Sequence, residues 1–362
     1  MNESCNACGV PKALTKSHAW EEGCIVDRAS GNANLFLYEA ASMNSLIDEV
    51  GSLLGISVDD LVFKAAANAA EGVVGDAINA HPALFRLLKR WPLHRLAYEA
   101  SAKLARAVGA GNITLLGQKG GQGKRRVRVR IENPFNVFLV SAMVVGAMRA
   151  IYNLPVLYDL GEEDGAYSME ARQAQGAVEE EAYERLAPSR LVPDKLEGEI
   201  LPTCGRCGAP SALGDSFAWK LEDGLLVEKA GGERMVFPGL YLLHSLIREF
   251  DLELGGTTAE VFLEAERRLY KRKLARAQKG QDSMSDPLQE SELRSHLALR
   301  GLGYLESLRR EGGTTEIVVK NAFIAPLLAG RLVAMWEYDS GLDSTFDYSI
   351  DGGTLALSIK PS

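Results

Sequence analysis

Long apolar runs, excess positive charge and clustered histidines are all scarce in this chain, and each scarcity removes a class of function. The longest apolar stretch, Phe135 to Met148, is interrupted by Asn136 and Ser141 and falls short of the roughly twenty residues that cross a bilayer. It reads as a buried helix, and no membrane contact is expected. The net charge is −8 and the pI near 5.4, which argues against a nucleic-acid surface and against binding anionic membranes through bulk charge. No basic segment precedes an apolar run at the start of the sequence, so the expectation is a cytoplasmic chain. His81, His94, His244 and His296 are scattered and join no triad. A zinc-protease helix, a Gly-x-Ser-x-Gly elbow and a dinucleotide fingerprint are all missing. Gly117 to Lys124 resembles a phosphate loop, but no glycine stands five residues before Gly123 and Arg125 replaces the required Ser or Thr. It reads as a hairpin loop, and the chain as a non-enzymatic protein.

What is present is a repeat. The chain has 362 residues, 46% of them hydrophobic, enough for a sizeable core and two or three domains. Cys5-Asn-Ala-Cys8-Gly-Val-Pro11 returns as Cys204-Gly-Arg-Cys207-Gly-Ala-Pro210 at an offset of 199, which Trp20 and Trp219 keep. Ser45-Leu-Ile-Asp-Glu49 matches Ser245-Leu-Ile-Arg-Glu249 at 200, and the segment ending Asn133-Pro-Phe135 faces Asn321-Ala-Phe323 at 188. Three matches in one order at nearly constant spacing point to tandem duplication. The modules are residues 1–171 and 201–362, and 172–200 reads as an exposed helix running into a linker, since Gln, Glu and Ala give way to Pro188 and Pro193.

Each module reads as α+β, helices packed on one antiparallel sheet. Ala19-Trp20 with Cys24-Ile25-Val26 forms a hairpin, with Leu225 to Val227 its counterpart. Leu46, Ile47, Val50, Leu53 and Leu54 follow helical spacing, as do Leu242, Leu243, Leu246, Ile247 and Phe250. Further helices are expected from Asp59, over Pro82 to Val108 with a break at Pro92, and over Ala259 to Ala277 and Glu290 to Leu299. Val127, Val129 and Ile131 alternate with arginines as a strand with one face in solvent, and Ile317 to Val319 is its equivalent. Asn133 and Asn321 are expected to cap the helices that follow, with Pro134 at the first helical position. Closing strands are expected at Tyr167 to Met169, Phe346 to Ile350 and Thr354 to Ile359.

Four of the five cysteines sit in the two Cys-x2-Cys turns, a spacing that in a reducing compartment favours metal over disulfide. Each turn offers half of a tetrahedral zinc shell, so pseudo-twofold packing would bring Cys5, Cys8, Cys204 and Cys207 around one structural zinc. Two ions, each completed by other side chains or a second chain, an iron–sulfur cluster and a redox dithiol are the alternatives. His18 is a weak further ligand because Phe217 takes its place in the repeat. Gly9-Val-Pro11 argues against a helix start after the first turn, and with it against redox chemistry. Cys24 has no counterpart and reads as a buried free thiol.

The late segments run from a strand through Glu132-Asn133-Pro-Phe135 into Ser141-Ala-Met-Val-Val-Gly146, and through Lys320-Asn321-Ala-Phe323 into Ala325-Pro-Leu-Leu-Ala-Gly330. This pattern resembles the C-terminal part of 4-vinyl reductase domains, a family sharing its fold with transport-particle trafficking subunits and haem nitric-oxide sensor domains. The resemblance covers roughly fifty residues of each copy. It implies a pocket for a small hydrophobic molecule and pairing of two modules, here as an intramolecular pseudo-dimer. Phenol-sensing members carry zinc on late cysteines and a glutamate, whereas this sequence has no cysteine between Cys24 and Cys204 or after Cys207. Any pocket is expected under the late helices, at Phe135, Phe138, Met148 and Tyr152, and at Phe323, Leu328 and Trp336. The leading expectation is a sensor or carrier of a hydrophobic small molecule; the rivals are a protein-binding scaffold of the trafficking type and a reductase or tetrapyrrole-handling enzyme.

Overall fold

A computed structural model describes residues 3–80, 93–119, 126–152, 155–174, 190–196, 201–256, 258–279 and 288–362. Among them the chain is α+β, with ten helices and four antiparallel sheets. The first half opens with α1 (Lys12–Ser17), the strands β1 (His18–Glu21), β2 (Cys24–Asp27), β3 (Ala33–Leu35) and β4 (Tyr38–Glu39), and α2 (Ala40–Leu54). Its later part holds α3 (Asp59–Ala80), α4 (Leu93–Ala107), β5 (Asn112–Lys119), β6 (Arg126–Glu132), α5 (Val137–Tyr152), β7 (Val156–Glu163) and β8 (Ala166–Gln173). The second half runs through α6 (Ser211–Ser216), β9 (Phe217–Lys220), β10 (Leu225–Glu228), β11 (Arg234–Val236) and α7 (Leu240–Leu254). It continues with α8 (Thr258–Lys279), α9 (Glu290–Arg300), β12 (Tyr304–Glu311), β13 (Thr314–Lys320), α10 (Ala325–Ser340), β14 (Ser344–Asp351) and β15 (Thr354–Pro361).

The two large sheets have the same strand order, β5-β6-β8-β7 and β12-β13-β15-β14. Alternation sets their faces: Val127, Val129 and Ile131 on β6, and Ile317 and Val319 on β13, point into the core while their neighbours face outward. Beyond Val156, β7 is mostly exposed and carries Asp159, Glu162 and Glu163, charges that discourage pairing at a sheet edge. Helix α3 packs on α5 and α8 on α10. Both crossings are tight at a glycine: a Cβ on Gly146 would lie 2.0 Å from the Ala67 carbonyl oxygen, and one on Gly330 would lie 2.2 Å from that of Leu263.

The opening segments are exchanged between halves. Helix α2 packs on α8, and α7 on α3. The Trp20 indole donates to the Leu299 carbonyl at 3.0 Å, and the Trp219 indole to the Ala107 carbonyl at 2.9 Å. Each hairpin tip reaches the far half: Asn321 donates to the Glu22 carbonyl at 3.0 Å and Asn133 to the Asp223 carbonyl at 3.2 Å. Strand β4 joins the sheet of the second half, in the order β4-β11-β10-β9. Between the arms lies a shared apolar cluster that includes Leu14, Leu37, Leu213, Phe217 and Phe237. Burial of such side chains stabilises by about 1.5–3 kcal/mol each, so the exchange is a core interface.

Two local expectations are corrected. Asn133 and Asn321 are not N-caps: both adopt left-handed backbone, with φ of 47° and 55°, a conformation asparagine tolerates better than most residues. The chain turns there, and α5 is capped instead by Asn136, whose Oδ1 accepts the Leu139 N–H at 2.8 Å. A short helix does follow each Cys-x2-Cys turn, because Pro11 and Pro210 sit at the N-cap, outside the helical residues, where the missing N–H removes no helical bond. The proposed helix over 172–200 lies mostly outside the described residues, as do Pro82 to Pro92 and Gly120 to Arg125. Residues 190–196 have no regular secondary structure and are tied to both halves: the Ala33 N–H donates to the Leu191 carbonyl at 2.7 Å, and the Asp194 N–H to Asn321 Oδ1 at 2.9 Å.

Candidate metal centre

Each Cys-x2-Cys segment is a tight turn closed by backbone bonds. The Gly9 N–H donates to the Cys5 carbonyl at 2.8 Å and the Cys5 N–H to the Val10 carbonyl at 2.9 Å; Gly208, Cys204 and Ala209 repeat the pair at 2.9 and 2.8 Å. Gly9 and Gly208 have φ of 78° and 74°, which a side chain would strain. The arm exchange sets the two turns face to face. Cys5 Sγ lies 4.0 Å from Cys204 Sγ and Cys8 Sγ 3.4 Å from Cys207 Sγ, and all four sulfurs fall within 4.8 Å of one another. Sulfurs at the corners of a tetrahedron with bonds of about 2.3 Å stand about 3.8 Å apart, so this donor set fits a four-coordinate soft metal ion.

The thiols are unequal before a metal is considered. The backbone N–H groups of Ala7 and Cys8 hold Cys5 down at about 6, and those of Arg206 and Cys207 likewise lower Cys204. Burial pushes Cys8 up to about 12 and raises Cys207. One sulfur in each turn is therefore the more easily deprotonated of its pair, and a divalent cation would supply the charge that deprotonates the others. A closed shell of four protein sulfurs leaves no open position for substrate.

The remaining singled-out residues lie elsewhere. His18 is buried, with Nε2 3.2 Å from Asn34 and Nδ1 2.8 Å from Ser17 Oγ, and takes no part in the sulfur cluster. Cys24 is a buried free thiol whose Sγ contacts the Asn321 carbonyl at 3.6 Å. Phe135, Met148 and Tyr152 are buried in the first half, Leu328 and Trp336 in the second, and Phe138 is 53% exposed. The Tyr152 hydroxyl accepts from Gln118 at 2.7 Å, and the Trp336 indole donates to Thr315 at 2.9 Å. Among the described residues a cleft opens between α3 and α7, and of the seven only Phe323 lines it. The side chains of His81 and His94 lie outside the described residues. No family model and no curated protein matches the chain.

Sequence reasoning missed a buried ionic cluster joining the halves. Arg331 on α10 donates to Glu266 at 2.8 Å and to Glu39 at 3.1 Å, and its guanidinium lies 4.7 and 4.5 Å from the ring centres of Tyr38 and Tyr270. Arg300 and Lys273 complete Glu39 at 2.9 and 2.8 Å, and the Tyr38 hydroxyl donates to Glu266. Burial alone would raise the Glu39 pKa, but Arg331, Arg300 and Lys273 together hold it well below the usual carboxylate range. Ala70, Ala147 and Gly239 stand at the equivalent places of Glu266, Arg331 and Glu39. The cluster therefore belongs to one side of the repeat. Its main ion pair spans 292 residues, and no local pattern announces it.

Proposed function

We propose that the chain is a covalent pseudo-dimer of two duplicated 4-vinyl-reductase-domain-like modules, clasped by one structural zinc on Cys5, Cys8, Cys204 and Cys207, and that it binds a small hydrophobic molecule without catalysing a reaction. The observation that carries the zinc reading is the convergence of four sulfurs from both ends of a 199-residue separation to within 4.8 Å. The repeated element order and the reciprocal tryptophan bonds support the duplication. The cleft beside α7 supports binding, and the closed sulfur shell favours architecture over catalysis.

Native mass spectrometry of the purified chain, compared with its denatured mass, tests both parts. One zinc per chain is expected, lost in the Cys204→Ser/Cys207→Ser variant, together with retained organic mass or an addressable small-molecule site. No metal, or two ions, would overturn the shared centre.

A further inference from the structure

Helix α7 of the second half and α3 of the first meet along a cleft of about 800 Å³, lined also by Ala322–Pro326 and Arg190–Val192. Its volume lies in the range that takes small organic ligands. Three apolar side chains around it are bare: Val192, Leu252 and Ile350 are 62%, 53% and 47% exposed. Such a concentration of exposed apolar surface marks a binding site more often than chance scatter.

Its charges are sorted by sign. Both acids at the cleft are engaged within the protein: Glu249 accepts from Asn68 at 3.0 Å and lies 3.2 Å from Lys64, and Asp251 accepts the Thr258 N–H at 3.3 Å. His244 is tied to the Phe323 carbonyl at 2.7 Å. Arg190 and Arg248, by contrast, are exposed at the cleft.

The other half shows how the same place is filled. His244 and Asn44 make equivalent bonds, to the carbonyls of Phe323 and Phe135, so Arg248 corresponds to Asp48. The tight crossings at Gly146 and Gly330 set Ala67 against Leu263, so Gly72 corresponds to Arg268. There the Arg268 guanidinium stands 3.7 Å from Glu49, and Arg272 stands 2.6 Å from it. The repeat thus places glycine and an outward arginine on one side, and an arginine bridged to a carboxylate on the other.

We propose, resting on the small-molecule reading above, that the cleft beside α7 binds an amphipathic carboxylate, its acid head held by Arg190 and Arg248 and its apolar body lying along Leu191, Ile247 and Phe323. Two guanidiniums suit an acid head because their planar forks match carboxylate geometry. Gly72, which lines the cleft, carries no side chain where the opposite side has Arg268.

Calorimetric titration of the full metal-bearing chain with sodium decanoate, and with decanol as its neutral counterpart, tests this. Decanoate is expected to bind once per chain and more tightly than decanol. Arg248→Gln should weaken it about tenfold or more, the scale of one charge-assisted hydrogen bond. Gly72→Arg, which copies the opposite side, should remove the binding, with circular dichroism confirming the fold; Arg248→Gln carries the test if that variant misfolds. Equal binding of decanol, or decanoate binding untouched by Arg248→Gln, would overturn the anion site and leave a small-molecule binder standing. No heat with either probe, together with no retained organic mass in the native spectrum, would remove both readings.

Discussion

Lowering the pH from 7 to 5 should destabilise the protein partly through one histidine, and the repeat supplies the control. His18 is 3% exposed and neutral in the fold, accepting from Asn34 at Nε2. Burial is the largest influence on it and pulls its pKa down to about 4, against the opposing pull of Asp27 and the Leu14 carbonyl. An unfolded histidine titrates near 6.5. The folded value is the lower one, so between these pH values the unfolded chain binds more protons. Stability is therefore full above about 6.5 and is lost as pH falls toward 4. From pH 7 to pH 5 the loss from His18 alone comes to about 2 kcal/mol. Phe217 occupies the equivalent position, which makes His18→Phe a substitution the fold already accommodates. Urea unfolding of both proteins at the two pH values isolates the effect, because His244, His296 and the four clustered thiols are common to both. The wild type should lose about 2 kcal/mol more than the variant. Equal losses would refute the reasoning.

Arg331→Met should cost about 3–5 kcal/mol, since Glu266 is left buried with only the Tyr38 hydroxyl and Glu39 loses one of three cations; an unchanged urea midpoint would show that the cluster contributes nothing to holding the halves together. Gly330→Ala places a methyl 2.2 Å from the Leu263 carbonyl oxygen and should cost about 1–3 kcal/mol by forcing α8 and α10 apart. A thermal melt within error of wild type would mean that the crossing is looser than described.

The helices and strands that pack one clear face were legible from the sequence. Alternation located β6 and helical spacing located α2 and α7, because a single buried face imposes its period on the residues. Strand β7 escaped because it is mostly exposed and lacks that period. The convergence of Cys5, Cys8, Cys204 and Cys207 was legible because ligand chemistry demands particular residues at fixed spacing, and the sequence repeat supplied the second pair. The expected pocket illustrates the opposite case. Met148, Leu328 and Trp336 show the apolar character of cavity walls and of packed core alike, and side-chain type does not separate the two. The cleft that does form lies where α7 of one half meets α3 of the other, a pairing that leaves no periodic trace. The Arg331 cluster was hidden by distance along the chain.

Because each opening arm lies on the far half, sequence-contiguous modules and spatial bodies do not coincide. A body in space comprises the knuckle, hairpin and first long helix of one copy with the later helices and sheet of the other. Neither copy by itself completes such a body: removing one would strip the survivor's α3 or α8 of its covering helix and leave the survivor's hairpin without a seat. The connection between the copies keeps two different acceptor surfaces permanently matched to their arms. That linkage lets one side carry a buried ionic cluster and the other an Ala/Gly-rich helix while the exchange that unites them stays intact.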